Sequence, residues 1–309
     1  MRRHLGLVKR YGIVIGFVLF CAWLAHATDG VFIRPANLLN VARQISINAI
    51  LAAGMTFTII SGGIDLSVGS VLALAAVGVA SMCDHGVPVL GAIVGGIGLG
   101  GLLGACNAFF ITRFRIPPFI ATLAMMTIAR GAAFVYTGGM PIADLPDTYL
   151  ALGKGYVLEV PIPVWLMALT YAGCWVLLER TRFGRSVLAI GGNEAAARLS
   201  GIRVERVKMA IYVLTSALAA FAGILLSARL GSGDPKLGQS YELNAIAAVV
   251  LGGTSLSGGQ GKLQGTFFGA LIIGALDNGL ILIGVSAFYQ MIVKGFVILG
   301  AVLLDQLGE

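Results

Sequence analysis

Asp65 and Ser67 lie in Gly62-Gly63-Ile64-Asp65-Leu66-Ser67-Val68-Gly69-Ser70, a short polar interruption of a strongly apolar chain. A carboxylate beside hydroxyls and glycines can do two kinds of work there. It can mark a capped helix break, with Ser67 as N-cap of the apolar run from Val68 and Asp65 near the positive helix end. It can also face a polar substrate or a gate. An ionisable group at the centre of a membrane helix costs about 2.5–3.5 kcal/mol on insertion scales, so such groups mark function by default. The pattern leaves both readings open.

A second polar string runs from Gly191 to Ile202, GGNEAAARLSGI. Asn193 reads as an N-cap, Glu194 suits the first turn, and Ala195 to Ala197 are strong helix formers. Glu194 and Arg198 make an i,i+4 pair in the favoured order, and Gly201 ends the helix. A solvated connection does not need such defined ends. A docking knob for a cytoplasmic partner does.

Other polar groups inside apolar runs are Asn48, Asn107, Asp277 and Asn278. Asn107 and Asn278 suit helix–helix hydrogen bonds. Asp277 is ionisable; with Asp65, Ser67, Asn48, Asn107 and Asn278 it makes up the candidates for the translocation path or helix break. No catalytic set is recognisable, and no metal-ligand spacing. Gly258-Gly259-Gln260-Gly261-Lys262-Leu263 fails as a phosphate loop, because Leu256 and Leu263 stand where glycine and a hydroxyl residue are required. Cys21, Cys83, Cys106 and Cys174 show no paired spacing and read as small apolar fillers. The three histidines lie at the ends of apolar runs.

The elements that carry these residues are membrane spans. Hydrophobic residues make up 58% of the 309 residues and charged residues only 11%, against about 25% in a soluble domain. Mean hydropathy is +0.92. Stretches long enough to span a bilayer number about ten: 11–27, 41–61, 67–83, 87–111, 118–138, 162–178, 209–230, 243–258, 263–283 and 286–305. The expected fold is an all-α polytopic bundle of about ten transmembrane helices with broken or re-entrant segments, forming one permease domain over residues 1–309. Segment 243–258 is short and glycine-rich and suits a half-helix.

The net charge of +7 reads as topology rather than nucleic-acid binding. Basic residues cluster before the first run (Arg2, Arg3, Lys9, Arg10), at Arg113 and Arg115, and through 179–208. The positive-inside rule puts all three clusters in the cytoplasm. Residues 139–161 and 231–242 are then outer loops, and both termini are inside. The first run resembles a signal peptide around Ala25-His26-Ala27, but its flanks suit an uncleaved first helix.

Glycine contributes 44 residues, several at GxxxG spacing: Gly91/Gly95, Gly96/Gly100, Gly100/Gly104 and Gly265/Gly269. That spacing predicts close helix packing inside the chain, or else a dimer seam. A faint repeat links Asn48-Ala49-Ile50 and the Gly62 string to Asn244-Ala245-Ile246 and Gly252-Gly253-Thr254-Ser255-Leu256-Ser257-Gly258-Gly259. Transporters are often built from repeated halves.

Four strings in order carry a family resemblance: Gly62–Ser70, Gly191–Ile202, Tyr241–Gly261 and Tyr289–Lys294. The chain resembles, nearly end to end, the permease subunits of bacterial ABC monosaccharide importers, most closely the ribose-type branch. The resemblance implies a non-enzymatic permease of the bacterial inner membrane that works as a homodimer. ATP and Mg would be handled by a separate cytoplasmic ATPase, with no cofactor on this chain, and an extracytoplasmic sugar-binding protein would deliver the cargo. It places ATPase coupling on Asn193, Glu194, Arg198, Leu199 and Gly201, and path lining on Asp65 and Ser67. A self-contained secondary transporter or channel, with Asp65 and Asp277 as ion sites, is the competing reading from the residues.

Overall fold

A computed structural model describes residues 16–306. The basic cluster at Arg2, Arg3, Lys9 and Arg10 lies outside the described residues. The chain there is almost wholly helical: α1 (Gly16–Ala27), α2 (Pro35–Ile60), α3 (Val68–Asp84), α4 (Val89–Arg113), α5 (Pro118–Thr137), α6 (Asp147–Lys154), α7 (Ile162–Trp175), α8 (Arg182–Gly192), α9 (Glu194–Leu199), α10 (Val204–Leu230), α11 (Tyr241–Leu251), α12 (Leu263–Leu282) and α13 (Ala287–Gln306). A one-turn π-helix, Val176–Arg180, extends α7. The only sheet among the described residues is a two-stranded hairpin, Tyr156–Val157 with Val160–Pro161.

Six of these helices are long and apolar enough to cross a membrane, counting α7 with its π-helical end, and four shorter apolar helices complete the set. The all-α polytopic expectation holds. Helix starts follow local chemistry. Proline sits in the first turn of α2, α5 and α7, where its missing N–H costs nothing. Gly138 and Gly231 end α5 and α10 in left-handed conformations.

The centre is built around α2 and α10. In its most apolar window α2 is 83% buried, against 22% for α4, so α2 is the core helix and α4 is peripheral. The glycine column of α4 explains how α10 comes so close. A Cβ on Gly100 would meet Ala220 and the Ser216 carbonyl, and one on Gly104 would meet the Tyr212 carbonyl. Gly265 and Gly269 of α12 likewise back onto Gly252 and Ala248. These GxxxG surfaces are spent on packing within the chain.

Two stretches interrupt the helices. One is 61–67, between α2 and α3. The other is 231–240, which leaves α10 and runs back along α3, so the stretch expected as an outer loop over 231–242 is instead packed into the bundle. Gly233 packs against Ala76 and Ala80 there, and Gly238 against the Gly69 backbone. The 11 residues of α11 then measure about 16 Å, half the ~30 Å hydrocarbon core. That shortness agrees with the half-helix expected over 243–258.

Candidate functional site

The 61–67 break is held from three sides. Asp65 Oδ1 accepts from the Ser67 backbone N–H at 2.8 Å and from the Ser67 hydroxyl at 2.5 Å. Asn107 Nδ2 on α4 donates to Ser67 Oγ at 3.0 Å. On α5, Thr122 Oγ1 accepts from Leu66 N–H at 3.2 Å and donates to the Ile64 carbonyl at 3.1 Å. Asp65, Ser67 and Asn107 are all buried. This corrects one expectation. Ser67 stands at the N-cap position of α3 with helical backbone angles, but its side chain caps nothing. Its hydroxyl instead accepts from Asn107 and donates to Asp65, which closes a turn on the Ser67 N–H just before the helix. Asn107 thus ties α4 to the 61–67 break rather than to a second helix.

Of the other polar residues assigned to the path, Asp277 and Asn278 hold separate partners. Asp277 forms an ion pair with Lys294 of α13 at 2.9 Å. Asn278 and Asn37 exchange amide hydrogen bonds at 2.9 and 3.1 Å. Asn48 is half-buried on α2 with its side-chain carbonyl unpartnered. Asn37 opens α2 whereas Asp65 follows its end, so Asn278 and Asp65 lie about 35 Å apart along α2 at 1.5 Å per residue. The six residues are therefore not one site.

The second string forms the helix read from it. Asn193 Oδ1 accepts from Ala196 N–H at 2.9 Å and caps α9. Gly201 follows in a left-handed conformation. Glu194 pairs with Arg198 at 3.4 Å and with Lys208 of α10 at 2.6 Å, and Arg198 also pairs with Glu205 of α10. Partial burial acts to raise the Glu194 pKa, but Lys208 and then Arg198 outweigh it and hold the carboxyl below its ordinary value. The pairing with Glu205 raises the Arg198 pKa. Leu199, at 91% exposure, stands off this charged base with nothing of its own chain to cover it. Beside the network a cavity of about 410 Å³ opens between Arg113, Arg115 and Pro118 on one side and Glu194 and Lys208 on the other.

What lies behind α9 was not readable from the string. Gly191, at the end of α8, sits against the Ile60 carbonyl and Gly259 N–H, where a Cβ has no room. Gly258, at φ +85°, packs on Gly62 and on the Gly191 carbonyl. Three turns thus meet backbone to backbone: the end of α2, the end of α8 and the turn after α11. The two members of the faint repeat touch here, both at the end of the α2 and α11 helices.

Motif spacing does not single out Arg130, although an arginine inside an apolar span is itself a signal. Its guanidinium donates to the carbonyls of Pro235 and Leu237, both at 2.6 Å, and of Gly69 at 3.2 Å. It fastens 231–240 to α3.

Comparison with known proteins gives a consistent picture. Residues 37–302 match the family described as the permease component of the branched-chain amino acid transport system. The chain is 52% identical to the ribose import permease protein of Bacillus subtilis, over 97% of this chain and 94% of that one. It is 50% identical to the ribose import permease protein of Escherichia coli K12, over 89% and 87%, and 37% identical to the xylose transport system permease protein of the same strain, over 94% and 89%. No solved structure matches. With one helical bundle, a capped knob tied to two helix breaks and relatives along almost its whole length, the chain belongs to this family of membrane transport permease components.

Proposed function

We propose that this chain is the membrane permease subunit of an ATP-driven importer of a monosaccharide, ribose, in the bacterial inner membrane. The observation that carries the mechanism is Leu199, exposed at the tip of a helix whose base is locked by four charges and whose entry, Gly191, rests on two helix breaks. An apolar residue in that setting fits a pocket on a partner. The partner is a cytoplasmic ATPase that binds and hydrolyses ATP with Mg. Asn193, Glu194, Arg198, Leu199 and Gly201 form the coupling element. ATPase closure would move α9, and Gly191 would pass that movement to the ends of α2 and α11.

The remaining assignments rest on the same reading. Both termini and the loop 179–208 are cytoplasmic, by the positive-inside rule. Residues 139–161 face the sugar-binding protein, and a second copy completes the transporter. Asp65 acts by holding the turn that leads into α3 rather than as an ion site, and Asp277 as half of an ion pair.

The test is uptake in proteoliposomes carrying the permease, its ATPase and its binding protein. Ribose should accumulate only with internal ATP and all three components. Uptake driven by an ion gradient, with no ATPase present, would overturn this reading in favour of secondary transport.

A further inference from the structure

α10 serves as a ruler for depth. Its 27 residues measure about 40 Å, enough to cross the ~30 Å hydrocarbon core. Gly223 of α10 packs against the Leu72 backbone of α3, and Gly69 lies three residues before Leu72. At 1.5 Å per residue, Gly69 and its neighbour Gly238 sit about 15 Å from the Leu230 end of α10, halfway through the membrane.

The segment arriving at that depth is not helical. Gln239 and Ser240 are exposed, and Ser240 has φ +64°. Lipid cannot satisfy such backbone groups. Non-helical chain at membrane depth persists only where it is covered by protein or lines a watery cavity. Here a cavity is present: about 590 Å³, within the range of small-molecule sites, between α5, the start of α3 and the start of α11. Its walls are largely apolar, with Met126 and Phe134 on α5, and carry the polar groups of Ser70, Thr127, Gln239, Ser240 and Glu242. Arg130 spends its donors on the carbonyls of the segment and holds these groups in place. The Glu242 carboxylate lies over Gly69, where any side chain would displace it.

We propose that this cavity is the monosaccharide's station midway across the membrane. The hydroxyls of Ser70, Thr127 and Ser240, the Gln239 amide and the Glu242 carboxylate offer donors and acceptors to sugar hydroxyls, while Phe134 offers an apolar face to the ring. Arg130 is a positioning residue. This rests on the permease reading above, and it moves the path away from Asp65, which is sealed inside the bundle.

Thiol labelling tests it in the assembled importer, with the four native cysteines replaced by serine or alanine. Gln239→Cys and Thr127→Cys, on opposite walls, should react with a small hydrophilic methanethiosulfonate reagent. Leu169→Cys, 70% exposed in the middle of α7, should not, because a thiol facing lipid forms no thiolate. Modification at either wall should lower ribose uptake roughly tenfold or more, and ribose should slow the labelling. Unreactive wall cysteines, or modified ones that transport normally, would overturn the proposal and leave the permease reading intact. If the unmodified importer moves no monosaccharide, the permease reading fails instead, whatever the labelling shows.

Discussion

The backbone N–H of Gly259 donates to the Ile60 carbonyl at 2.8 Å, which joins the turn after α11 to the end of α2. Gly191 covers that bond. Gly191→Ala should therefore force the turns apart. Overpacking of this kind costs typically 1–3 kcal/mol, so a lowered thermal midpoint in detergent is expected together with reduced uptake. Gly192→Ala, one residue on and with open space at its Cβ position, should leave the midpoint unchanged.

Replacing Leu199 by alanine should weaken binding of the ATPase without unfolding the permease. A buried interface anchor contributes more than about 1 kcal/mol, so co-purification and uptake should fall severalfold. Glu194→Ala with Arg198→Ala should lower uptake per ATP hydrolysed by roughly five- to a hundredfold, the usual range of coupling between two sites. Unchanged sugar-stimulated hydrolysis and transport would count heavily against the docking role.

Glu194 should titrate below the ordinary glutamate value of about 4.3. Because the folded-state pKa is depressed, the pairing is fully present above that ordinary value and is lost as pH falls through the lowered one. The network is then constant across the physiological range. Carbon-13 NMR of Glu194 in nanodiscs reads this directly, and Lys208→Ala should move the titration upward.

Asp65→Asn keeps an oxygen for the Ser67 N–H, whereas Asp65→Ala does not. Leaving the buried Ser67 N–H unpaired costs about 1–3 kcal/mol, so the alanine variant should melt earlier and the asparagine variant should stay near the parent. If both transport equally poorly while remaining stable, the carboxylate has a role beyond holding this turn.

The Asp277–Lys294 pair gives the opposite signature to an ion site. Asp277 is buried and Lys294 partly so. Removing one partner of a fully buried pair costs about 3–5 kcal/mol, an upper bound for this pair, while replacing both with apolar residues is often neutral. Asp277→Ala should therefore destabilise strongly, and Asp277→Leu with Lys294→Leu should restore both stability and uptake. Stability without uptake in the double variant would revive the ion-site reading.

Local features of this chain were legible in its sequence. Asn193, Glu194, Arg198 and Gly201 act within one or two helical turns, so spacing alone defined α9. The ten apolar segments follow from length and hydropathy. Ser67 stands where a capping residue is expected, but its hydroxyl is taken by Asp65 and Asn107, and only the path of the loop decides that. Lys208 lies 14 residues from Glu194, and the three Arg130 acceptors lie 61, 105 and 107 residues away. No periodicity encodes such partners. The glycine turns were visible as glycines, but their meeting depends on how three separate chain segments pack.

Glu194 and Arg198 bind not only each other but also Lys208 and Glu205 on α10, while Gly191 rests on the α2 and α11 turns. The knob is thus attached to the membrane region by two parallel linkages, one ionic and salt-sensitive, the other made of bare backbone and indifferent to salt. Damage to either alone leaves a second route for force, so single lesions should produce slow transporters rather than dead ones. High ionic strength should deepen the defect of a Gly191 variant far more than it slows the parent.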